Sequence, residues 1–154
     1  MANNDFFDDG ATQASFLFEV DGVQIGHFSE VSGLQVEVGV ETLEEGGENG
    51  FVHKFPGRMT WPNVVFKRGL TKSNSLFAWL NHSSGEGFAG KGNKLKRSTA
   101  AVTLVSGKGT RLRSWEFEGA FPVRWSGPTF AAGSTDGATE ELEIAHHGFV
   151  ARKP

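Results

Sequence analysis

The sequence predicts a mainly β protein: a small barrel or sandwich of about seven or eight antiparallel strands with one inserted α-helix. Several separate stretches alternate apolar and polar residues at period two, the spacing of a strand with one buried face. Turn-forming residues fall between these stretches and are frequent, with 21 glycines in 154 residues. Aromatic content is carried by 14 Phe and 4 Trp, with no Tyr, which suits apolar strands separated by turns.

A chain of this length buries one core, so a single domain is expected over 15–154. It is preceded by an arm over 1–14, where MANNDFFDDGAT shows no sustained period and Phe6 and Phe7 are free to dock on a neighbouring subunit. In SFLFEVDGVQIGHF, Phe16, Phe18 and Val20 share a face and Asp21-Gly22 marks a tight turn between two short strands. LQVEVGVET then places Leu34, Val36, Val38 and Val40 opposite Gln35, Glu37, Gly39 and Glu41, predicting a strand with one face on the core and one acidic face in water. Residues 43–50 combine glycines and carboxylates without an apolar period and form an exposed loop, longer than a hairpin needs.

A strand over 51–55 is expected to end at a Pro56-Gly57 turn, and NVVFKR to form another after Trp61-Pro62. The helix is predicted over about 74–82, with Ser73 or Asn74 as N-cap and Leu76, Phe77 and Leu80 at helical spacing. After a glycine-rich loop, STAAVTLV and RLRSWEFEGAF pair as a hairpin across Ser106-Gly107-Lys108-Gly109. PVRWSGPTFAAGSTDGA reads as irregular, with one helical turn near 130–132, and TEELEIAHHGFVA closes the fold as a strand.

Composition narrows function. With no cysteine, disulfides and thiolate chemistry are excluded. A net charge of -3 offers no bulk attraction to nucleic acid or anionic lipid, and residues 91–97 are only a local basic stretch. No apolar run approaches the ~20 residues of a membrane-spanning helix, and the polar, acidic start is unlike a secretory signal. A chain assembled in the bacterial cytoplasm, without membrane insertion, is the expectation.

Candidate chemical motifs favour plain structural readings. Glycines between 85 and 92 mimic two nucleotide-binding loops, but the predicted helix precedes them, a strand follows, and Gly92 stands where the triphosphate loop needs Ser or Thr. His146 and His147 are neighbours on a strand and point to opposite faces, so one ion is not shared between them. The pairs Glu37/Glu41 and Glu141/Glu143 sit at the spacing of one strand face, as on any solvated β surface. No serine elbow accompanies them. No catalytic residue, cofactor or metal site is expected.

The order of the fragments carries more information than any one of them. FLFEVDGVQIGHFSEVSGLQVEV, then Phe55-Pro56-Gly57, NVVFKRGLTKSNSLFAWLN, SWEFEGAFPVRWSGPTF and EELEIAHHGF together resemble the tail tube proteins of contractile phages and contractile injection systems. The likeness spans 16–149; the glycine-rich loop over 85–92 and His147 depart from it. The resemblance implies a barrel related in shape to the haemolysin-coregulated protein of type VI secretion, six copies to a ring, and rings stacked into a tube. It further implies as partners a contractile sheath protein, baseplate and tube-cap proteins, and lumenal cargo, either a protein effector or DNA. On that reading Glu37 and Glu41 line the lumen, with Glu141 and Glu143 as rivals. Glu44, Glu45, Gly46, Gly47, Glu48 and Asn49 form the inter-ring loop, and Phe6 and Phe7 an intersubunit arm. The alternatives are a phage tail tube passing DNA, a monomeric β-barrel carrier of an apolar ligand, and a hydrolase using Glu and His.

Overall fold

The computed structural model describes residues 14–44, 46–47, 50–83, 97–128, 133 and 137–153. These form ten strands and one helix: β1 (Ser15–Val20), β2 (Val23–Phe28), β3 (Glu30–Ser32), β4 (Glu37–Leu43), β5 (His53–Thr60), β6 (Val64–Gly69), α1 (Ser75–Ser83), β7 (Ser98–Val105), β8 (Arg111–Ser126), β9 (Thr139–Ala145) and β10 (Phe149–Arg152). Eight strands form one antiparallel sheet in the order β2-β1-β7-β8-β9-β6-β3, with β10 also paired to β8. The ends of that order, β2 and β3, are separated in sequence only by Ser29. A sheet whose two borders are consecutive in the chain must curl onto itself, and the Ser29 N–H donating to the Lys67 carbonyl at 2.9 Å helps to close it.

β8 makes the corner. Its first part pairs with β7 on one side and, at Ser114–Phe117, with β10 on the other; beyond Gly119 the strand pairs with β9 instead. Gly119 has φ of +60°, where a side chain would be strained, and a Cβ there would stand 3.0 Å from His147 Nδ1. Strands therefore run from one wall of the barrel to the other through a bend at a glycine.

The interior is aromatic. Phe18, Phe28, Phe66 and Phe117 are almost fully buried, and Phe18 contacts Phe66 (centroids 4.6 Å apart), Trp79 (5.6 Å) and Phe28 (6.1 Å). Leu76 and Trp79 of α1 plug one side of this core, and Phe77 meets Trp125 edge-on at 4.9 Å. The Asn74 carbonyl accepts the first helical N–H, from Ala78, and Ser73 Oγ accepts that of Ser75, so both proposed caps contribute.

The Asp21-Gly22 turn has φ of +50° and +81°, the left-handed pair that matches the twist of a two-residue hairpin. The β7–β8 hairpin also forms as expected. Four expectations are corrected. Leu34 does pack against the core, but Val36, Val38 and Val40 do not: β4 is exposed along its whole length and, among the described residues, pairs with β5 alone as a separate two-stranded sheet. Pro56-Gly57 does not end β5; it lies inside it, at a bulge where Gly57 and Arg58 oppose Gly39, and an edge ladder tolerates a proline at such a break. The stretch PVRWS is not irregular but continues β8, with Pro122 beside another register shift. The closing strand is divided into β9 and β10 at Gly148, whose φ is +133°. The helical turn expected near 130–132 lies outside the described residues.

Candidate assembly interface

The β4–β5 hairpin has two solvent-facing sides, and the register sorts its residues between them. Val38 opposes Met59 and Val40 opposes Pro56, which puts Val38, Val40 and Met59 on one mainly aliphatic side, together with the Thr42–Lys54 pair. Glu41 opposes Phe55 and Leu43 opposes His53, so Glu37 and Glu41 share the other side with the aromatic row Phe51, His53 and Phe55. Within that row the rings of Phe51 and His53 are 4.8 Å apart and those of His53 and Phe55 6.4 Å. Val40 is 63% exposed and Phe51 60%. An isolated two-stranded ribbon is marginal in water, and apolar surface on both of its sides marks a place where another surface belongs.

The predicted lumenal carboxylates fall in two different settings. Glu37 and Glu41 are exposed on β4, with no cation at ion-pair distance among the described residues. Glu141 and Glu143 project from the outer side of β9 into a ladder of opposite charge. Lys67 Nζ is 3.2 Å from Glu141, and Arg124 reaches Glu143 through Nε at 3.1 Å and Glu141 through Nη2 at 3.6 Å. The hydrogen bond to Glu143 is the first cause raising the Arg124 pKa above its ordinary value, so that guanidinium stays charged. The structure does not bring the two carboxylate pairs onto one strand face.

Of the predicted inter-ring loop, Glu44, Gly46 and Gly47 are described, and all are exposed at the end of the hairpin. Glu45, Glu48 and Asn49 lie outside the described residues, as do Phe6 and Phe7 and the glycine-rich loop over 85–92. Arg97, at the end of the basic stretch, donates from Nη1 to the Gly119 carbonyl at 3.2 Å and covers the Phe121 ring at 5.0 Å.

Sequence reasoning missed a buried ionic network. Arg68 Nε donates to Glu140, the other carboxylate oxygen of Glu140 accepts from Trp125 Nε1 at 3.1 Å, and the Arg68 guanidinium lies 4.6 Å from the Phe28 centroid. Glu140 and Arg68 are 3% and 6% exposed. Parity held the clue: Glu140 shares its inward phase with Leu142 and Ile144, as Arg68 does with Val64 and Phe66. Charges there must find each other or forfeit their hydration.

His146 is likewise structural. It is 7% exposed, with Nε2 3.1 Å from the Pro62 carbonyl and Nδ1 accepting the Gly148 N–H at 3.0 Å. Burial lowers its pKa, and the adjacent His147 works in the same direction. His146 and His147 lie not on a strand, as expected, but in the link between β9 and β10, where His147 is exposed. Among the described residues no helix is long and apolar enough to cross a membrane.

Comparison with known proteins agrees with this architecture. A chain in the PVC sheath/tube terminator of an extracellular contractile injection system, in its extended state, matches with 26% identity and a TM-score of 0.72, over 90% of this chain and 93% of that one. A chain of the extended PVC sheath-tube complex matches with 25% identity and a TM-score of 0.72, over 89% and 87%. The tube-terminating cap of the anti-feeding prophage, at 23% identity and a TM-score of 0.72 over 90% and 88%, shares the fold. No curated protein sequence gives a match. The model of the T4-like virus tail tube protein gp19 fits residues 12–150, nearly the whole chain, and the chain belongs to that tail tube family.

Proposed function

We propose that the chain is the inner tube subunit of a contractile injection system, in which six copies close a ring and stacked rings form a hollow tube driven by sheath contraction. The observation that carries this reading is the β4–β5 hairpin, which bears exposed apolar residues on both sides and, among the described residues, pairs with no other strand. Such a ribbon becomes stable when neighbouring copies of the same chain extend its ladder and cover its aliphatic side. The likeness to chains of the PVC sheath-tube and terminator assemblies supports an injection system, with a sheath protein around the tube and a cap at its end. A baseplate is the remaining partner of this reading.

Glu37 and Glu41 are the carboxylates assigned to the lumen. Among the described residues they are exposed without a neutralising cation, whereas Glu141 and Glu143 are paired with Lys67 and Arg124. Repeated around a ring, unpaired carboxylates repel acidic cargo from the wall and keep it moving. The hairpin end at Glu44, Gly46 and Gly47, with its neighbours 45, 48 and 49, is assigned to the contact between rings, and Phe6 and Phe7 to a contact between subunits. The chain supplies wall and not chemistry, assembles in the cytoplasm, and leaves the cell in particles released by lysis.

Native mass measurement and negative-stain microscopy of the purified chain test this. Hexamers, rings or tubes are expected. A compact single-chain species at every concentration, with no annular particle, overturns the reading.

A further inference from the structure

The hairpin joins the barrel through two short links, residues 33–36 and 61–63, which touch each other. Gly33 has φ of +90°, and a Cβ there would clash with the Asn63 carbonyl oxygen. The second link is held by the barrel through His146. Its Nε2 meets the Pro62 carbonyl, its Nδ1 accepts from the Gly148 amide, and the Trp61 ring lies against Gly148, where a Cβ would meet Cε2 at 3.1 Å. An Nδ1 that accepts a hydrogen bond carries no proton, so the ring is neutral with its proton on Nε2, donated to Pro62. The rings of Phe117, Trp61 and Phe149 surround it with centroids at 5.0, 6.0 and 6.0 Å.

We propose that His146 is a pH-sensitive latch on the hairpin: a proton added at Nδ1 expels the Gly148 amide, loosens the Trp61-Pro62 link and frees the hairpin from its assembly-competent position. The step is a simple balance. The Nδ1 lone pair takes up one proton, and an N–H acceptor becomes a second donor facing the Gly148 N–H. Among the described residues no group compensates the charge: Trp61, Pro62, Phe117 and Phe149 are uncharged, and the titratable side chain acting on the ring is the adjacent His147, which disfavours a second cation. Glu118 of β8 meets this corner through its backbone, its carbonyl accepting from His147 N at 2.8 Å and its N–H donating to the Gly148 carbonyl at 3.0 Å.

The latch rests on the reading of the hairpin as an intersubunit element, and the test separates the two. Tube assembly is followed by light scattering and microscopy between pH 8 and pH 5 for the wild type and for His146→Asn, whose amide oxygen accepts at the Nδ1 position without titrating. The wild type is expected to lose assembly at least about tenfold as pH falls below about 6.5, the ordinary histidine value, while H146N changes less than about twofold. Equal loss in both, or no pH dependence in the wild type, overturns the latch. Should H146N fail to assemble at pH 8, hydrogen exchange of the wild-type Gly148 amide decides. Its protection must fall over the pH range in which assembly falls, and a Gly148 amide still protected after assembly is gone overturns the proposal. If the wild type forms no rings at any pH, the assembly reading fails. The exchange profile of Gly148 in the soluble subunit then judges the latch alone: loss of protection on acidification supports it, and constant protection overturns it.

Discussion

Arg68 and Glu140, 72 positions apart in sequence, meet inside the barrel as neighbours on β6 and β9 and are cross-strand partners in the ladder. Both side chains are almost fully buried, so each charge depends on the other for most of its compensation, and Trp125 and the Phe28 ring occupy the flanks of the pair.

Removing one partner leaves the other buried and uncompensated. Glu140→Ala is expected to destabilise the fold by about 3–5 kcal/mol in urea unfolding, whereas the double variant Arg68→Met with Glu140→Leu recovers most of that loss. A double variant no more stable than the single one would contradict this account.

Gly33 sits at the root of the hairpin with a positive φ and the Asn63 carbonyl against its α-carbon. Gly33→Ala pays both for the left-handed backbone and for moving that carbonyl. A loss of more than about 1 kcal/mol is expected, measurable by denaturant titration, because substitution at a positive φ exceeds the usual entropic gain of Gly→Ala.

Stability should fall on mild acidification through His146. Burial lowers its pKa in the folded chain below the value of about 6.5 that holds when unfolded, so the unfolded state binds the proton first. The contribution is complete above that unfolded value. It declines as pH drops from about 6.5 toward the lower folded value, and then stays flat with respect to this group. Unfolding free energies of wild type and His146→Asn between pH 8 and pH 5 should therefore converge on acidification. Parallel curves would show that the ring does not contribute.

On the hairpin the effect should be on association and not on folding. Val40→Asp and Met59→Glu change exposed positions and should leave subunit stability within about 0.5 kcal/mol while abolishing rings in native mass spectra. Glu37→Lys with Glu41→Lys should keep the rings and slow the exit of acidic cargo. Deleting four residues from 43–50 should keep rings and prevent their stacking; tubes of ordinary length from that variant would remove the loop's assignment.

Most of the barrel could be read from residue order, because strands such as β9 bury alternate residues in the core of their own chain and β1 turns Phe18 and Val20 into it. Phe16, Phe18 and Val20, or Leu142 and Ile144, leave little choice of face. The same alternation in Val36, Val38 and Val40 misled, for a physical reason. A period of two says that one side of a strand seeks cover without saying whether the cover comes from the same molecule or from another. Pro56 and Pro122 mislead in the opposite sense, since each keeps its place in a ladder, opposite Val40 and Ile144, beside a register shift. Arg68 and Glu140 escaped notice because a charged residue in an inward phase is legible only when its phase is counted against its apolar neighbours. Glu141 and Glu143 of β9 are legible as facing away from the core, but their half-buried pairing with Lys67 and Arg124 depends on strand adjacency, which sequence spacing does not encode.

β8 runs 16 residues without interruption and is stitched to β7, β9 and β10. The two walls of the barrel therefore have one spine in common, and sliding either wall relative to the other would tear the ladder of that spine. A hollow shaft thrust end-on through an envelope meets compression and torque together. A cross-section whose halves cannot shear independently passes such a load along as a rigid rod does, instead of crumpling where it is pushed.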